Sequence, residues 1–215
     1  MTRMIFVRHG ESVGNNEKRF YGNFDKGLTD LGKKQADKTG EYLKDTHIDC
    51  AYASDLGRAY DTGLRVAAYH KGLEVIPNTG LREIYAGKWE NMLFSEIETV
   101  YADEYHVWRN DIYNAKPTDG EAVADLCLRV RDAVWEIARA NEGKTVLLAL
   151  HATPIRSLEC EWRGEKYECM KNHPWVKNAS VSIIDYDNES GRVIPIVIGE
   201  ADFMGDMMTA LPKNV

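Results

Sequence analysis

Short apolar runs alternate with amphipathic segments along most of the chain. These runs predict strands, because a few consecutive apolar residues between turn signals are typical of buried strands. They lie at residues 4–7, 50–53, 74–76, 145–150, 181–186 and 193–198. The first and fourth runs are almost wholly apolar, which indicates strands covered on both faces in a parallel sheet.

Between these runs, apolar residues recur at helical spacing. Thr29 is predicted to cap the first long helix and Ser54 the next, because a side-chain oxygen there accepts a hydrogen bond from the first turn. The clearest period covers about residues 120–140. A further helix is predicted with Thr153 as its cap and Pro154 in its first turn. Strands alternating with helices predict an α/β fold, a mainly parallel sheet with helices on both faces.

Residues 87–118 interrupt this alternation and are predicted to form a mostly helical insertion that caps a site. We expect its aromatic side chains to form the core of the cap rather than a stacking platform. They are Trp89, Phe94, Tyr101, Tyr105, Trp108 and Tyr113. Residues 199–215 have no clear period. A chain of 215 residues fits one domain, 1–215, that includes the insertion.

Composition narrows the class of protein. Apolar residues make up 44% of the chain and charged residues 28%, which is ordinary for a globular domain. The net charge of −7, without a basic run, argues against nucleic acid and anionic membranes as partners. No apolar run is long enough for a membrane span, and the N-terminus shows no signal-peptide pattern, so we expect a cytoplasmic protein. The four cysteines lack metal-type spacing and are expected to be free thiols.

Charged and polar side chains follow the first four predicted strands. Arg8 and His9 follow the first strand, Arg58 the second, Glu83 the third and His151 the fourth. Ligands of open α/β sheets bind at the carboxyl ends of the strands. We therefore expect these five side chains to line one edge of the sheet.

These residue types fit the transfer of a phosphoryl group. Two arginines supply paired donors for a tetrahedral oxyanion, and a neutral histidine can attack phosphorus. A second histidine can stabilise the phosphoryl oxygens, and a glutamate can protonate the leaving oxygen. Gly10 is expected to let the backbone approach an anion closely. A zinc site on His9 and His151 is the alternative, but the adjacent arginine would repel a cation and no third ligand has recognisable spacing.

Four segments resemble motifs of the histidine phosphatase (phosphoglycerate mutase-like) superfamily, in the order of that family. They are Arg8-His9-Gly10-Glu11-Ser12 with Asn15, the segment 54–62, the segment 81–90 and the segment 151–156. Residues 19–22 and 28–32 look like the segment that follows the first motif. One departure is Ala152-Thr153, which stands where the family has a pair of glycines. At this position the Thr153 hydroxyl could donate a hydrogen bond to the substrate in place of a backbone N–H.

The resemblance implies a role for each matching residue. His9 would be the nucleophile that forms a phosphohistidine, and Glu83 the general acid and later base. Arg8, Arg58 and His151 would hold the phosphoryl group with the help of Asn15. The substrate would also contact Tyr21, Gly22 and Ala152. The family needs no metal and no nucleotide cofactor, so the expected partner is a small phosphate ester, with a homodimer left open.

The superfamily contains both phosphatases and mutases, and the cap is where they differ. Between residues 88 and 116, the basic residues are Lys88, Arg109 and Lys116, against six acidic residues. A negative cap should disfavour a bisphosphate or a phosphoglycerate, which favours a phosphatase for a small or partly apolar monoester. The alternatives are a phosphoglycerate mutase and a non-catalytic binding module on the same fold. The intact set of polar residues argues against the binding module.

Overall fold

A computed structural model describes residues 1–209 of the protein. The strands are β1 (Thr2–Arg8), β2 (Cys50–Ala53), β3 (Val75–Pro77), β4 (Thr145–Leu150), β5 (Val181–Tyr186) and β6 (Val193–Glu200). Every predicted strand is found, with its ends displaced by at most two residues. Of the C-terminal segment 199–215, the residues 210–215 lie outside the described part of the chain.

Seven α-helices connect and flank the strands in the described chain. They are α1 (Val13–Glu17), α2 (Asp30–Leu43), α3 (Gly57–Ala67), α4 (Phe94–Val100), α5 (Ala102–Asn110), α6 (Val123–Ala140) and α7 (Ala152–Arg163). Short 3₁₀ turns cover Thr79–Leu81, Gly87–Trp89, Ile112–Asn114, Tyr167–Asn172 and Asp202–Met207. The insertion at 87–118 is mostly helical, as predicted. None of the helices within residues 1–209 is both long and apolar enough to cross a bilayer.

The six strands form one sheet in the order β3-β2-β4-β1-β5-β6. The first four in this order are parallel, which confirms a mainly parallel sheet. β5 runs antiparallel to β1, and Val181 at its start pairs with Val7 at the end of β1. The residues that precede β5 therefore lie at the same edge as the residues that follow β1, β2 and β4.

The two faces of the sheet pack against different helices. Met4 and Phe6 of β1 point into a core shared with α6, α7 and the insertion. Ile5 and Val7 point into a smaller core shared with α2 and α3. All four side chains are fully buried, as expected of a central strand that has helices on both faces.

The predicted helix caps hold at one site out of three. The Thr29 hydroxyl accepts a hydrogen bond from the Gly32 N–H, as predicted. Ser54 is not the cap of α3, because the helix begins at Gly57, three residues later. Thr153 is not the cap of α7, because His151 passes directly from β4 into the helix and takes the cap position itself. Both predicted caps are two residues from the true position, in opposite directions: the cap of α3 is Leu56 and that of α7 is His151.

The aromatic residues of the insertion form a core, as predicted. Trp89 is fully buried and packs edge-on against Phe20, with ring centroids 5.6 Å apart. Trp108 packs against both rings, at 5.9 Å from Trp89 and 5.1 Å from Phe20. Edge-to-face pairs at such distances add to the stability gained from burial. The insertion is thus fixed to the segment that follows α1. The four cysteines are free thiols, as expected.

Gly10 and Gly32 allow the backbone after β1 to pass the start of α2. A Cβ on Gly10 would lie 2.2 Å from the Gly32 carbonyl oxygen, and one on Gly32 would lie 2.0 Å from the Glu11 carbonyl oxygen. The Gly10 N–H donates to the Thr62 hydroxyl. The expectation that Gly10 makes room for an anion is therefore wrong, because its free side faces backbone.

This close approach predicts a loss of stability on adding one methyl group. Gly32→Ala should lower the free energy of unfolding by about 1–3 kcal/mol, since two backbones would have to separate. Gly57→Ala, also in the first turn of a helix, is the control, because its Cβ would meet its nearest neighbour at 3.6 Å. Urea unfolding followed by circular dichroism measures both. Equal stability of the two variants would contradict the assigned contact.

Candidate active site

His9 lies at the carboxyl end of β1 with its backbone and ring both held. Its N–H donates to the Leu150 carbonyl, and its carbonyl accepts from Asn178 and Ala179. The ring Nδ1 lies 2.7 Å from the Gly10 carbonyl oxygen. A carbonyl oxygen can only accept, so Nδ1 carries the proton and Nε2 keeps a free lone pair.

The environment keeps the His9 ring uncharged. Burial lowers the pKa of His9 well below its ordinary value, and the positive charges of Arg58 and Arg8 lower it further. At neutral pH the ring is therefore neutral, which is the form required of a nucleophile.

Arg8 is buried beside His9 and keeps a donor free for a ligand. One guanidinium nitrogen, Nη1, donates to the Val176 carbonyl. Its Nε is buried and has no hydrogen-bond partner among residues 1–209. Burial lowers the pKa of Arg8 to about 10, against the attraction of Glu83, so the group stays charged at neutral pH. A buried cation with an unused N–H is a ready site for an anion.

Arg58, in the first turn of α3, is buried with its guanidinium against a loop. Nη2 donates to the carbonyls of Tyr21 and Gly22, at 3.1 and 2.7 Å. Nη1 donates to the Phe24 carbonyl and lies 3.3 Å from a carboxylate oxygen of Asp25. Burial lowers the pKa of Arg58, and the nearby carboxylates oppose that change. These contacts hold both terminal nitrogens of the guanidinium, and Arg58 also lines the cleft.

Glu83 follows β3 and is buried in the same cleft. One carboxyl oxygen accepts from the Ile84 N–H at 2.8 Å, and the other from the Thr153 N–H at 3.2 Å. Burial raises the pKa of Glu83, and these N–H groups and Arg58 offset part of the rise. A carboxyl group with a raised pKa can hold a proton for a leaving oxygen.

His151 lies behind the cleft and is fully buried. Its Nε2 is 2.8 Å from the Ser54 hydroxyl oxygen, and its ring centroid is 5.3 Å from that of His9. Nδ1 has no hydrogen-bond partner within the described chain. Burial and then the charge of Arg58 lower the pKa of His151 well below its ordinary value. Because the Ser54 oxygen already accepts from the Leu56 N–H, its proton can go to Nε2, leaving Nδ1–H as a donor.

Seven of the predicted site residues line one cleft with an empty volume of about 470 Å³. They are Arg8, His9, Asn15, Tyr21, Arg58, Glu83 and Ala152. The described residues that line the cleft do not include His151 or Gly22. The Gly22 carbonyl instead accepts a hydrogen bond from Arg58, and the His151 ring lies 5.3 Å from the His9 ring.

An aromatic wall also lines this cleft, and two of its four residues, Phe20 and Trp175, lie outside the insertion and were not identified from the sequence. Phe20, Phe94, Trp108 and Trp175 line the cleft together with the charged residues, and their rings contact one another. Trp175 stacks on Trp108 with ring centroids 6.2 Å apart. The guanidinium of Arg156 lies 4.3 Å from the centre of the Trp175 ring, so this arginine supports the wall. The one sequence signal that Trp175 lines the cleft is its position six residues before β5.

Two further residues that the sequence analysis missed bind Arg8 and His9 at the end of β1. Val176 supplies the carbonyl that Arg8 binds, and the Asn178 amide donates to the His9 carbonyl and to the Asn15 side chain. Both lie in the segment before β5. Ser12, Arg19 and Thr153 also line the cleft.

The negative charge of the insertion does not face the cleft. Phe94 and Trp108 are the residues that the insertion contributes to the described cleft lining, and neither is acidic. Glu90 and Glu104 bind backbone N–H groups instead. The expectation that the cap repels anionic substrates by its charge is therefore wrong in its physical basis. No three His, Cys, Asp or Glu side chains within residues 1–209 are grouped as metal ligands.

Comparisons with known proteins show the family to which this chain belongs. Residues 4–197 match the model of the histidine phosphatase superfamily (branch 1). Phosphoserine phosphatase 1 of Hydrogenobacter thermophilus is 31% identical over 92% of this chain and 93% of its own. A 2,3-bisphosphoglycerate-dependent phosphoglycerate mutase of Gloeobacter violaceus is 32% identical over 75% of each chain. The solved structure of YhfR from Bacillus stearothermophilus superposes with a TM-score of 0.89 at 27% identity, covering 95% of this chain and all of that one.

Proposed function

The chain belongs to the histidine phosphatase superfamily, and we propose that it hydrolyses small phosphate monoesters through a phosphohistidine at His9. The observation that carries this proposal is the His9 ring. Its Nδ1 proton is held by the Gly10 carbonyl, which leaves the Nε2 lone pair free between two buried arginines. The similarity to phosphoserine phosphatase 1 over nearly the whole chain supports hydrolysis as the reaction.

In the first half-reaction, His9 Nε2 attacks phosphorus and the bond from phosphorus to the ester oxygen breaks. The leaving oxygen takes the proton of the Glu83 carboxyl group, so a neutral alcohol departs. Arg8 and Arg58 bind the phosphoryl oxygens, and His151 donates from Nδ1. These donors hold the charge in a buried cleft, where electrostatic interactions are stronger than in water.

In the second half-reaction, the Glu83 carboxylate accepts a proton from water. The water oxygen attacks phosphorus and the bond to Nε2 breaks, which returns the lone pair to His9 and releases inorganic phosphate. The same carboxyl group thus serves as acid and then as base, and it ends protonated for the next turnover. Besides the ester and one water molecule, the two steps use only His9 and Glu83 to transfer the phosphoryl group and the proton.

The cleft favours a small monoester with an apolar leaving group. Phe20, Phe94, Trp108 and Trp175 form the wall beside the reacting atoms. Besides Arg8 and Arg58, the described lining contains one more cation, Arg19. That guanidinium already donates to the Asn91 carbonyl and lies 3.3 Å from a Glu17 oxygen. A second phosphate or a carboxylate would thus find few free donors, which favours the phosphatase over the mutase.

A panel of monoesters at fixed pH, with phosphoglycerate included, tests the proposed reaction. We expect aryl and apolar alkyl phosphates to be hydrolysed with a higher kcat/KM than phosphoglycerate, with rates unchanged by EDTA. Isomerisation of phosphoglycerate at a rate comparable to or above monoester hydrolysis would overturn the assignment. Loss of activity in EDTA would show that a metal ion takes part.

The two shifted pKa values predict a bell-shaped dependence of kcat/KM on pH. The pKa of His9 lies below its ordinary 6.5, so raising the pH through it creates the neutral nucleophile and raises the rate. The pKa of Glu83 lies above its ordinary 4.5, so a further rise removes the acid and lowers the rate. The maximum is expected on the acidic side of neutral. Glu83→Gln should lose the falling limb that is assigned to Glu83. Any change of rate that comes from ionisation of the substrate should be the same in the wild type and the variant. A falling limb that is identical in the variant would contradict the assignment.

A further inference from the structure

Glu90 and Arg58 bind opposite sides of the loop 21–25. The carboxylate of Glu90 lies in the insertion, and its two oxygens accept four backbone N–H groups. The donors are Gly22 at 3.2 Å, Asn23 at 2.8 Å, Phe24 at 2.9 Å and Ala86 at 2.9 Å. Successive backbone N–H groups of this kind form a concave site for an anion, which Glu90 fills.

Two consecutive peptide groups connect the carboxylate to the guanidinium. In the first, the Gly22 N–H binds Glu90 and the Tyr21 carbonyl binds Arg58. In the second, the Asn23 N–H binds Glu90 and the Gly22 carbonyl binds Arg58. The N–H and C=O of a trans peptide point in opposite directions, so each group can bind an anion on one side and a cation on the other. Such chains of hydrogen bonds strengthen one another in a buried environment.

We propose that Glu90 is a positioning residue, which holds the loop 21–25 in the conformation that orients Arg58 toward the substrate phosphate. This inference rests on the proposed function, in which Arg58 binds phosphate. Glu90 is not among the described residues that line the cleft, so its effect must pass through the loop. The loop also contains Asp25, whose carboxylate accepts a hydrogen bond from the Arg58 backbone N–H at 2.9 Å.

This arrangement requires a glycine at position 22, because the residue lies between the Glu90 carboxylate and the Arg58 guanidinium. A Cβ on Gly22 would lie 2.4 Å from a Glu90 oxygen and 2.4 Å from the Ile84 carbonyl oxygen. Only a residue without a side chain can bring its N–H to the carboxylate and its carbonyl to the guanidinium. The resemblance implied that Gly22 contacts the substrate. In the structure its carbonyl instead accepts a hydrogen bond from Arg58.

Glutamine cannot replace Glu90 in this role. An amide has one acceptor oxygen, and its NH₂ group would face N–H donors that need an acceptor. Glu90→Gln should therefore displace the loop, although the side chain keeps its size. Glu104→Gln is the matched control, because Glu104 is also half-buried in the insertion and binds the N–H and hydroxyl of Thr118. Glu90→Asp keeps the charge on a shorter side chain and is expected to be intermediate.

The test measures the Kd of inorganic phosphate by isothermal titration calorimetry, which does not depend on turnover. We expect Glu90→Gln to raise this Kd about 10-fold or more, and Glu104→Gln to change it less than about twofold. Arg58→Ala should raise the Kd at least as much as Glu90→Gln. In the Arg58→Ala background, Glu90→Gln should add almost nothing, because its effect passes through the missing guanidinium.

Two kinds of failure can be told apart. If Arg58→Ala binds phosphate as well as the wild type, the proposed phosphate site is wrong. If Arg58→Ala weakens binding but Glu90→Gln does not, or if the two effects are fully additive in the double variant, the role of Glu90 is wrong. Circular dichroism reports whether each variant folds. If Glu90→Gln does not fold, Glu90→Asp replaces it in the double-mutant cycle, and Arg58→Lys replaces Arg58→Ala in the same way.

Discussion

His9→Ala is expected to lower kcat for monoester hydrolysis by about 10⁴- to 10⁶-fold. On the proposed mechanism the variant lacks the atom that attacks phosphorus, and the described residues that line the cleft include no second histidine and no cysteine. The donors that bind the phosphate remain, so the KM of the residual reaction should change much less than kcat. His47→Ala is the control, because His47 is a largely exposed histidine paired with Asp49.

The covalent step gives this prediction a second, independent measurement. Wild-type enzyme mixed with labelled substrate and quenched in denaturant should retain a phosphoryl group that is labile in acid and stable in base, as expected for a phosphorus–nitrogen bond. His9→Ala should retain none, whereas His151→Ala should still be labelled at a reduced rate. A labelled His9→Ala protein, or one with wild-type kcat, would rule out His9 as the nucleophile.

Most of this site could be predicted because the signal for a buried strand is local in the sequence. The ends of β1, β2 and β4 were placed within one residue, and carboxyl ends of parallel strands share one edge of the sheet. Arg8, His9 and Arg58 had to meet there as a result. The prediction needed only the strand ends and the rule for parallel sheets.

The segment before β5 could not be predicted in the same way. Val176 and Asn178 reach the site because β5 runs antiparallel beside β1, which brings its start to the edge where the other strands end. The direction of a strand depends on which neighbour it pairs with, and that contact joins residues far apart in the sequence. A search that considers only the residues following each strand misses such a segment.

Composition also gave no information about the direction in which side chains point. The insertion is acidic, yet its carboxylates at Glu90 and Glu104 bind backbone rather than face the substrate. Gly10 follows His9, yet the side on which a Cβ would lie faces Gly32 of α2. The deciding contacts are hydrogen bonds to a few backbone groups in the first case and the close approach of two backbones in the second, and neither leaves a periodic signal along the chain.

Glu83→Gln is expected to slow the first half-reaction by an amount that depends on the leaving group. An alkyl alcohol is a poor leaving group and needs the proton of Glu83, so its single-turnover release should slow about 10²- to 10⁴-fold. A nitrophenolate leaves readily without a proton, so its release should slow less than about 10-fold. Decay of the phosphoenzyme should slow for both substrates, because the water then lacks its base.

This contrast separates an acid from a residue that only shapes the cleft. Glu83 accepts N–H groups from Ile84 and Thr153, so its replacement could also disturb the start of α7. A disturbance of that kind would slow the alkyl and aryl esters equally, since both use the same phosphate site. Rapid-quench measurement of alcohol release with enzyme in excess distinguishes the two outcomes. Equal losses for both esters would remove Glu83 from the proton transfer and leave it a structural role beside His9.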